Sequence, residues 1–241
     1  MAGVLFDREF TMEPNTQNKR ALIVVAAPAE AAAVCRAFGI GPVAAAWERL
    51  ELGARFDLVV SGIGKANAAG ATARSLDLQR HDRVVSAGIA GALPGSSLEI
   101  GSIVAAEACV YSEEGIETPD GFLDCGQMGF PLGDFPGRAV PVDAGVLGWL
   151  SSVSDRIGKI ATVSTCSGTD ELARRVVERT GAIAEAMEGA AVVQVARRLG
   201  VAGGELRVVS NTTGDRGRQV WKICEALDRL AAVFGRLSSG A

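Results

Sequence analysis

Two carboxylates and one amide stand out as side chains whose setting suits chemistry. Glu30 closes Ala26-Ala27-Pro28-Ala29-Glu30, where an apolar run turns into helix-forming sequence. A carboxylate at a helix start is favoured by the helix dipole. Glu188 lies in Glu185-Ala186-Met187-Glu188-Gly189-Ala190-Ala191, a carboxylate followed by very small residues that let a ligand or a neighbouring element come close. Asn211 opens the polar stretch Asn211-Thr212-Thr213-Gly214-Asp215-Arg216 after an apolar run ending at Ser210, and it can both donate and accept a hydrogen bond. Two glycine-rich segments join them. Ser61-Gly62-Ile63-Gly64-Lys65-Ala66-Asn67 sets two glycines ahead of a helix and permits close approach of an anion or a sugar. Gly88-Ile89-Ala90-Gly91-Ala92 reads as a second such turn. Taken singly, each segment is also what an ordinary helix start, tight turn or loop would contain. Neither glycine segment is GxGxxG or GxxxxGK[ST], so an NAD-linked Rossmann site and a Walker loop are excluded.

These segments fall at the ends of strand-like runs. Residues 21–27, 56–61, 83–87, 102–110, 160–164 and 206–210 read as strands. Residues 29–38, 65–78, 143–153, 170–180, 188–199 and 220–237 read as helices, and 111–137 as one long glycine- and proline-bearing loop. Uninterrupted apolar strands alternating with helices imply a largely parallel sheet buried on both faces. The expected fold is a single α/β domain over residues 20–241, its central mixed, largely parallel sheet flanked by helices on both faces, with 1–19 as a loose tail. In such sheets ligands bind at the carboxyl ends of the strands, where the segments above lie.

Composition removes other readings. Of 241 residues, 24 are Lys or Arg and 28 Asp or Glu, giving a net charge of −4 with no block of like sign. A basic nucleic-acid surface is therefore not expected. Aromatic residues make up only 5%, too few for a stacking platform along a single strand. No run approaches the roughly 20 apolar residues of a membrane span. Residues 1–19 carry Asp7, Arg8, Glu9 and Glu13 where a signal peptide would be apolar. Five scattered Cys, without a CxxC, read as free thiols, and the expected location is cytoplasmic. The one histidine, His81, lies in a polar stretch and reads as an exposed loop residue, so His-based catalysis and His metal sites are not expected.

In order along the chain, Ser61-Gly62-Ile63-Gly64-Lys65, Ala87-Gly88-Ile89-Ala90-Gly91 and Met187-Glu188-Gly189-Ala190 resemble the motifs of the nucleoside phosphorylase/nucleosidase family, over residues 21 to about 235. Within it the likeness is greatest to members that hydrolyse futalosine, a nucleoside of menaquinone biosynthesis. Ser210 to Arg216, followed by Trp221, carries that likeness. The resemblance implies that Glu188 holds the ribose hydroxyls and supports a cation-like sugar, that Glu30 activates water, and that Asn211 meets N7 and O6 of the base. It implies further substrate contacts from Ile63, Gly64, Gly88, Ile89, Ser167, Gly168 and Met187. The Thr165–Thr169 loop would wrap the base. It lacks the aromatic that relatives often carry, so Phe122, Phe130 or Phe135 would supply stacking. Arg216 or Arg218, near Trp221, would meet a carboxylate at the far end of the substrate.

Two departures from the family bear on chemistry. Adenine-specific relatives have Asp at the position of Asn211. A 6-oxopurine presents an acceptor at position 6, to which an amide donates, whereas a carboxylate would meet it with like polarity. Hypoxanthine is thus the expected leaving base, as in futalosine or inosine. Phosphorylases of the family hold phosphate with an Arg and a Ser, and here Ser86 and Ile89 align with them, with Arg55 or a neighbouring subunit as another source of a cation. Water is therefore the expected nucleophile, with no cofactor and no metal, and family members are commonly homo-oligomers. Open alternatives are a methylthioadenosine-type nucleosidase, a purine nucleoside phosphorylase, and a nucleoside-binding protein without turnover.

Overall fold

The structure is a computed structural model that describes residues 19–41 and 45–239. The expected tail lies outside the described residues, apart from Lys19. The chain opens with β1 (Arg20–Val25), buried throughout, and α1 (Pro28–Ala37), whose leading proline forfeits no helical hydrogen bond at that position. There follow β2 (Arg49–Leu52), β3 (Phe56–Val60), α2 (Lys65–Ser75), β4 (His81–Ala92), β5 (Ile103–Tyr111) and a small hairpin, β6 (Gly115–Thr118) with β7 (Gly121–Asp124). Next come β8 (Ala139–Pro141), α3 (Ala144–Ser151), β9 (Arg156–Thr162), α4 (Asp170–Thr180) and β10 (Ala184–Ala186). The chain finishes with α5 (Gly189–Arg198), β11 (Ala202–Thr212), a 3-10 turn (Arg216–Arg218) and α6 (Ile223–Ser239).

The strand order is β2-β3-β1-β4-β11-β5-β9-β10, with β8 on β5. Pairings of β1 with β3 and β4, of β4 with β11, and of β9 with β5 and β10 are parallel. Those of β2 with β3, β5 with β11 and β8, and β4 with β10 are antiparallel. The helix-flanked, mixed sheet is as expected, but that last contact adds a closure to it. Because β10 returns to β4, strands β4, β11, β5, β9 and β10 close into a five-stranded barrel. Small inward residues, among them Ala90, Ala92, Ala106, Ala184 and Ala186, permit so tight a curl. Register shifts in β11 and β5 supply the bends that closure needs. Helices α1, α3 and α6 cover one side of the sheet, and α2 and α5 the other.

Three further expectations change. Gly88–Ala92 is the second half of β4 rather than a turn, and Asn211 lies within β11 rather than past it. Their flanking glycines and polar residues concealed continued pairing between those two strands. The 111–137 segment holds the β6–β7 hairpin rather than loop alone. His81 is not an exposed loop residue but is only 1% exposed at the start of β4. The backbone N–H of Asp77 donates to its Nδ1 (3.0 Å), so Nε2 carries the proton and donates to Asp57 Oδ2 (2.9 Å).

Candidate active site

At the carboxyl ends of β1, β4, β9 and β11 the structure opens a cavity of 460 Å³. Glu30, Glu188 and Asn211 all line it, although 158 residues separate the first from the second. Each is held by a local device. Glu30 stands in the first turn of α1, and its Oε2 accepts the N–H groups of Ala26 (3.0 Å) and Ala27 (2.9 Å). Its Oε1 accepts the N–H of Ile89 (2.9 Å) across the sheet. This crossing requires Gly88, because a Cβ there would collide with Glu30 Oε1. Glu188 caps the small-residue start of α5, and its Oε1 accepts the N–H of Gly64 (3.0 Å). Gly64 takes φ 93°, a conformation glycine adopts without a Cβ penalty.

Between the two carboxylates lies Arg207, which sequence reasoning missed. It is 1% exposed, its Nη2 is 3.3 Å from Glu188 Oε2 and 2.9 Å from Ser86 Oγ, and its Nε donates to Glu205 Oε1 (2.8 Å). A readable signal was present: Glu205-Leu206-Arg207 puts opposite charges two apart, hence on one face, in a strand expected to be buried on both. Gly189 leaves room for Glu205, since a Cβ there would overlap its carboxylate. Burial pushes the Glu30 carboxyl above its ordinary range, and Arg207 and the N–H groups of Ile89 and Ala27 oppose this without cancelling it. Burial raises Glu205 likewise. Burial also works against the charge of Arg207, but Glu205, Glu188 and Glu30 together keep it protonated.

Asn211 occupies the other end of the cavity. Ser210 Oγ lies 2.8 Å from its Oδ1 and its Nδ2 donates to Thr212 O (3.0 Å), leaving one N–H and one lone pair for a ligand. The loop after β9 contributes Cys166, Ser167 and Gly168 to the wall. It is braced by Gln219 Nε2, which donates to Ser167 O (2.9 Å), and by the N–H of Arg216, which donates to Gly168 O (3.0 Å). Ile63, Ile89, Met187, Arg216 and Trp221 also line the cavity. Gly64 and Gly88 stand behind the wall and shape it through the carboxylates. The Arg216 guanidinium lies 4.5 Å from the Trp221 ring centroid.

Other expected residues lie elsewhere. Phe135 is buried in the barrel core, Phe130 is 70% exposed, and Phe122 sits between Arg138 and Arg179. Among the described residues, Trp221 is therefore the aromatic side chain on the cavity wall. Arg55 binds the Leu237 and Ser238 carbonyls, and Arg218 pairs with Asp170 and Asp215. Among the described residues no cluster of His, Cys, Asp and Glu is arranged to hold a metal, and no helix is long and apolar enough to cross a membrane.

The description of the phosphorylase superfamily matches residues 20–239. The chain belongs to that superfamily. Futalosine hydrolase from Streptomyces coelicolor is 40% identical over 189 residues, covering 76% of this chain and 78% of the relative. Futalosine hydrolase from Acidothermus cellulolyticus is 38% identical over 226 residues, covering 90% of each. Among solved structures, the 5'-methylthioadenosine/S-adenosylhomocysteine nucleosidase of Neisseria meningitidis, in complex with methylthio-immucillin-A, aligns with TM-score 0.75 at 20% identity, over 92% of this chain and 100% of that one. Native futalosine hydrolase of Helicobacter pylori aligns with TM-score 0.72 at 18% identity, over 93% and 99%. At these identities the two structures speak for the shared fold.

Proposed function

We propose that the protein hydrolyses the N-glycosidic bond of futalosine, a 6-oxopurine nucleoside of menaquinone biosynthesis, and releases hypoxanthine. The observation that carries this reading is the single cavity in which the Glu30–Arg207–Glu188 cluster faces Asn211. The identity to two futalosine hydrolases supports the substrate.

Cleavage of an N-glycoside passes through a cation-like ribosyl group. Glu188, fixed by the Gly64 N–H, accepts from the ribose hydroxyls and sets its charge beside the developing cation. Glu30 takes a proton from the attacking water as the new C1′–O bond forms. The C1′–N9 bond breaks with its electron pair moving onto the purine, where Asn211 donates to the O6/N7 edge, and the base leaves as hypoxanthine after taking up a proton. Met187 floors the ribose. Water rather than phosphate suits the cluster, because the buried arginine on this wall, Arg207, is already engaged by Glu205 and Glu188. A phosphate dianion would meet carboxylates there and lack the charge-assisted donors it needs.

The test is base release from futalosine, inosine and methylthioadenosine, with and without phosphate. Hypoxanthine freed from futalosine at a rate indifferent to phosphate is the expected result. Phosphate dependence, adenine release in preference, or binding without turnover would overturn it.

A further inference from the structure

Glu205 is a fully buried carboxylate on β11 to which the mechanism above gives no part in turnover. Its Oε1 accepts from Arg207 Nε (2.8 Å), and its Oε2 has no hydrogen-bond partner among the described residues. A buried carboxylate with one oxygen unpaired costs stability, which points away from a purely structural task. The chain nevertheless makes room for it: a Cβ on Gly189, the first residue of α5, would lie 1.9 Å from Oε2. The ionisable groups facing Glu205 from other elements are Cys109 of β5 and Glu188 at the head of α5. Burial holds the Cys109 thiol well above its ordinary range, so it stays neutral.

Register sets Glu205 on the far side of Arg207 from the cavity. Glu205 pairs with Ser86 of β4, and Arg207 with Gly88. Residues paired across strands project to the same face. Ser86 is short and Gly88 has no side chain, so the Arg207 guanidinium can lie across β4 toward α1. Its Nη2 donates to Ser86 Oγ (2.9 Å) and lies 3.3 Å from Glu188 Oε2. A Cβ on Gly88 would lie 2.8 Å from Arg207 Nη1 and 2.2 Å from Glu30 Oε1, so guanidinium and carboxylate meet over that glycine. A guanidinium is a rigid planar fork. Held at Nε by Glu205, it aims its two outer nitrogens at Glu188 and Glu30.

We infer that Glu205 is the positioning residue of this site: it holds Arg207 by its inner nitrogen and answers the arginine's charge, so that Glu30 and Glu188 keep their own negative charge for the water and the sugar. The role rests on the hydrolysis proposed above, in which Glu30 takes a proton from water. Arg207 and Glu188 are the charged groups that face Glu30. Without the Glu205 charge, Arg207 would bear on Glu30 and Glu188 alone. Glu30 would then hold a proton less tightly, and the negative potential felt by the sugar cation would weaken.

The experiment follows the pH profile of kcat/KM on futalosine for the wild-type protein and for E205Q, with melting temperature alongside. Gln keeps an acceptor for Arg207 Nε and removes the charge. The acid limb, which reports ionisation of Glu30, should move down by about one pH unit, the scale of one nearby charge, and the plateau should fall. A role confined to packing would lower the plateau or the melting temperature and leave the limb in place. An unmoved or raised limb overturns the inference. A second measurement needs no variant. In carboxyl NMR of the wild-type protein, the glutamate carboxyl coupled to the Arg207 Nε–H should be ionised at neutral pH. A protonated carboxyl there has no charge to set against Arg207 and overturns the inference, whether or not E205Q folds. If the wild-type protein releases no hypoxanthine from futalosine, the broader functional reading fails. If it does and the limb stays in place, the Glu205 assignment alone fails.

Discussion

The two ends of the parallel strands each bury a knot of charge, and the knots are built to opposite purposes. At the amino ends of β1, β3 and β4, Asp57 is fully buried. It accepts from Arg20 (2.7 Å), Arg80 (2.5 Å) and His81 (2.9 Å). Burial by itself would raise the Asp57 carboxyl, but those donors hold it well below the usual carboxylate range. At the carboxyl ends, three carboxylates share one arginine, Glu30 and Glu205 are pushed upward, and a cavity opens on the group. Acid surrounded by donors stabilises its ionised form and ties strands together. Acid that outnumbers its cation beside a cavity carries unspent proton affinity and negative potential, which is what water activation and a cationic sugar require.

Breaking the carboxyl-end knot should therefore remove activity and spare the fold. Glu188→Gln should lower kcat on futalosine by about 10²–10³-fold, the scale of losing one electrostatic contact to the transition state. Glu30→Gln should cost about 10²–10⁴-fold, the scale of a lost general base. Because folding raises the Glu30 pKa, its protonated form is the one the fold favours. That advantage is present below the ordinary carboxylate range and is lost as pH rises through the raised value. At pH 7 the Gln variant should be as stable as wild type or more so, as thermal melting would show. The acid limb of the kcat/KM profile should lie above the ordinary carboxylate range, since the base must be ionised. A limb at or below that range would remove Glu30 from the role.

The amino-end knot should answer in reverse. Asp57→Asn leaves the buried Arg20 and the half-buried Arg80 against a neutral amide and should cost about 3–5 kcal/mol of stability. Below the resulting melting transition kcat should stay near the wild-type value. Here folding lowers the pKa, so the stabilisation is present above the ordinary carboxylate range and lost as pH falls through the depressed value. Denaturation curves of wild type and variant should converge on acidification. A variant that keeps its stability but loses turnover would mean that the two ends are not separable in this way.

The same contrast explains what could be read in the sequence. The alternation of apolar strands with helices was legible, as were Glu30, Glu188 and Asn211, because each sits where an apolar run stops. Barrel closure was not, since it depends on two residues of β10, Ala184 and Glu185, meeting β4 across the sheet, a pairing with no local pattern. His81 was misread because its flanking charges are typical of a loop, whereas the fold brings it, together with Arg80, onto the buried Asp57. Arg207 was missed because the Glu205–Arg207 pair on one face of β11 looks self-contained until the fold brings Glu188 and Glu30 to the arginine from two other elements. Trp221 reached the cavity wall where three phenylalanines did not, because an isolated bridge pairs it with Asn211.

The smallest expected effect sharpens the site from within. Asn211 Nδ2 donates to Thr212 O, so Asn211→Asp sets a carboxylate oxygen against a carbonyl oxygen and against O6 of a 6-oxopurine. A buried polar mismatch of this kind costs roughly 1–3 kcal/mol. Efficiency on futalosine should therefore fall by about 5–150-fold, while that on its 6-amino analogue falls less or rises, because the carboxylate can accept from an exocyclic amine. The Glu30 and Glu188 variants should instead slow both substrates together, since they act on the sugar and the water. If Asn211→Asp slowed both substrates equally, the amide would be acting on the leaving group in general and base choice would rest elsewhere on the wall.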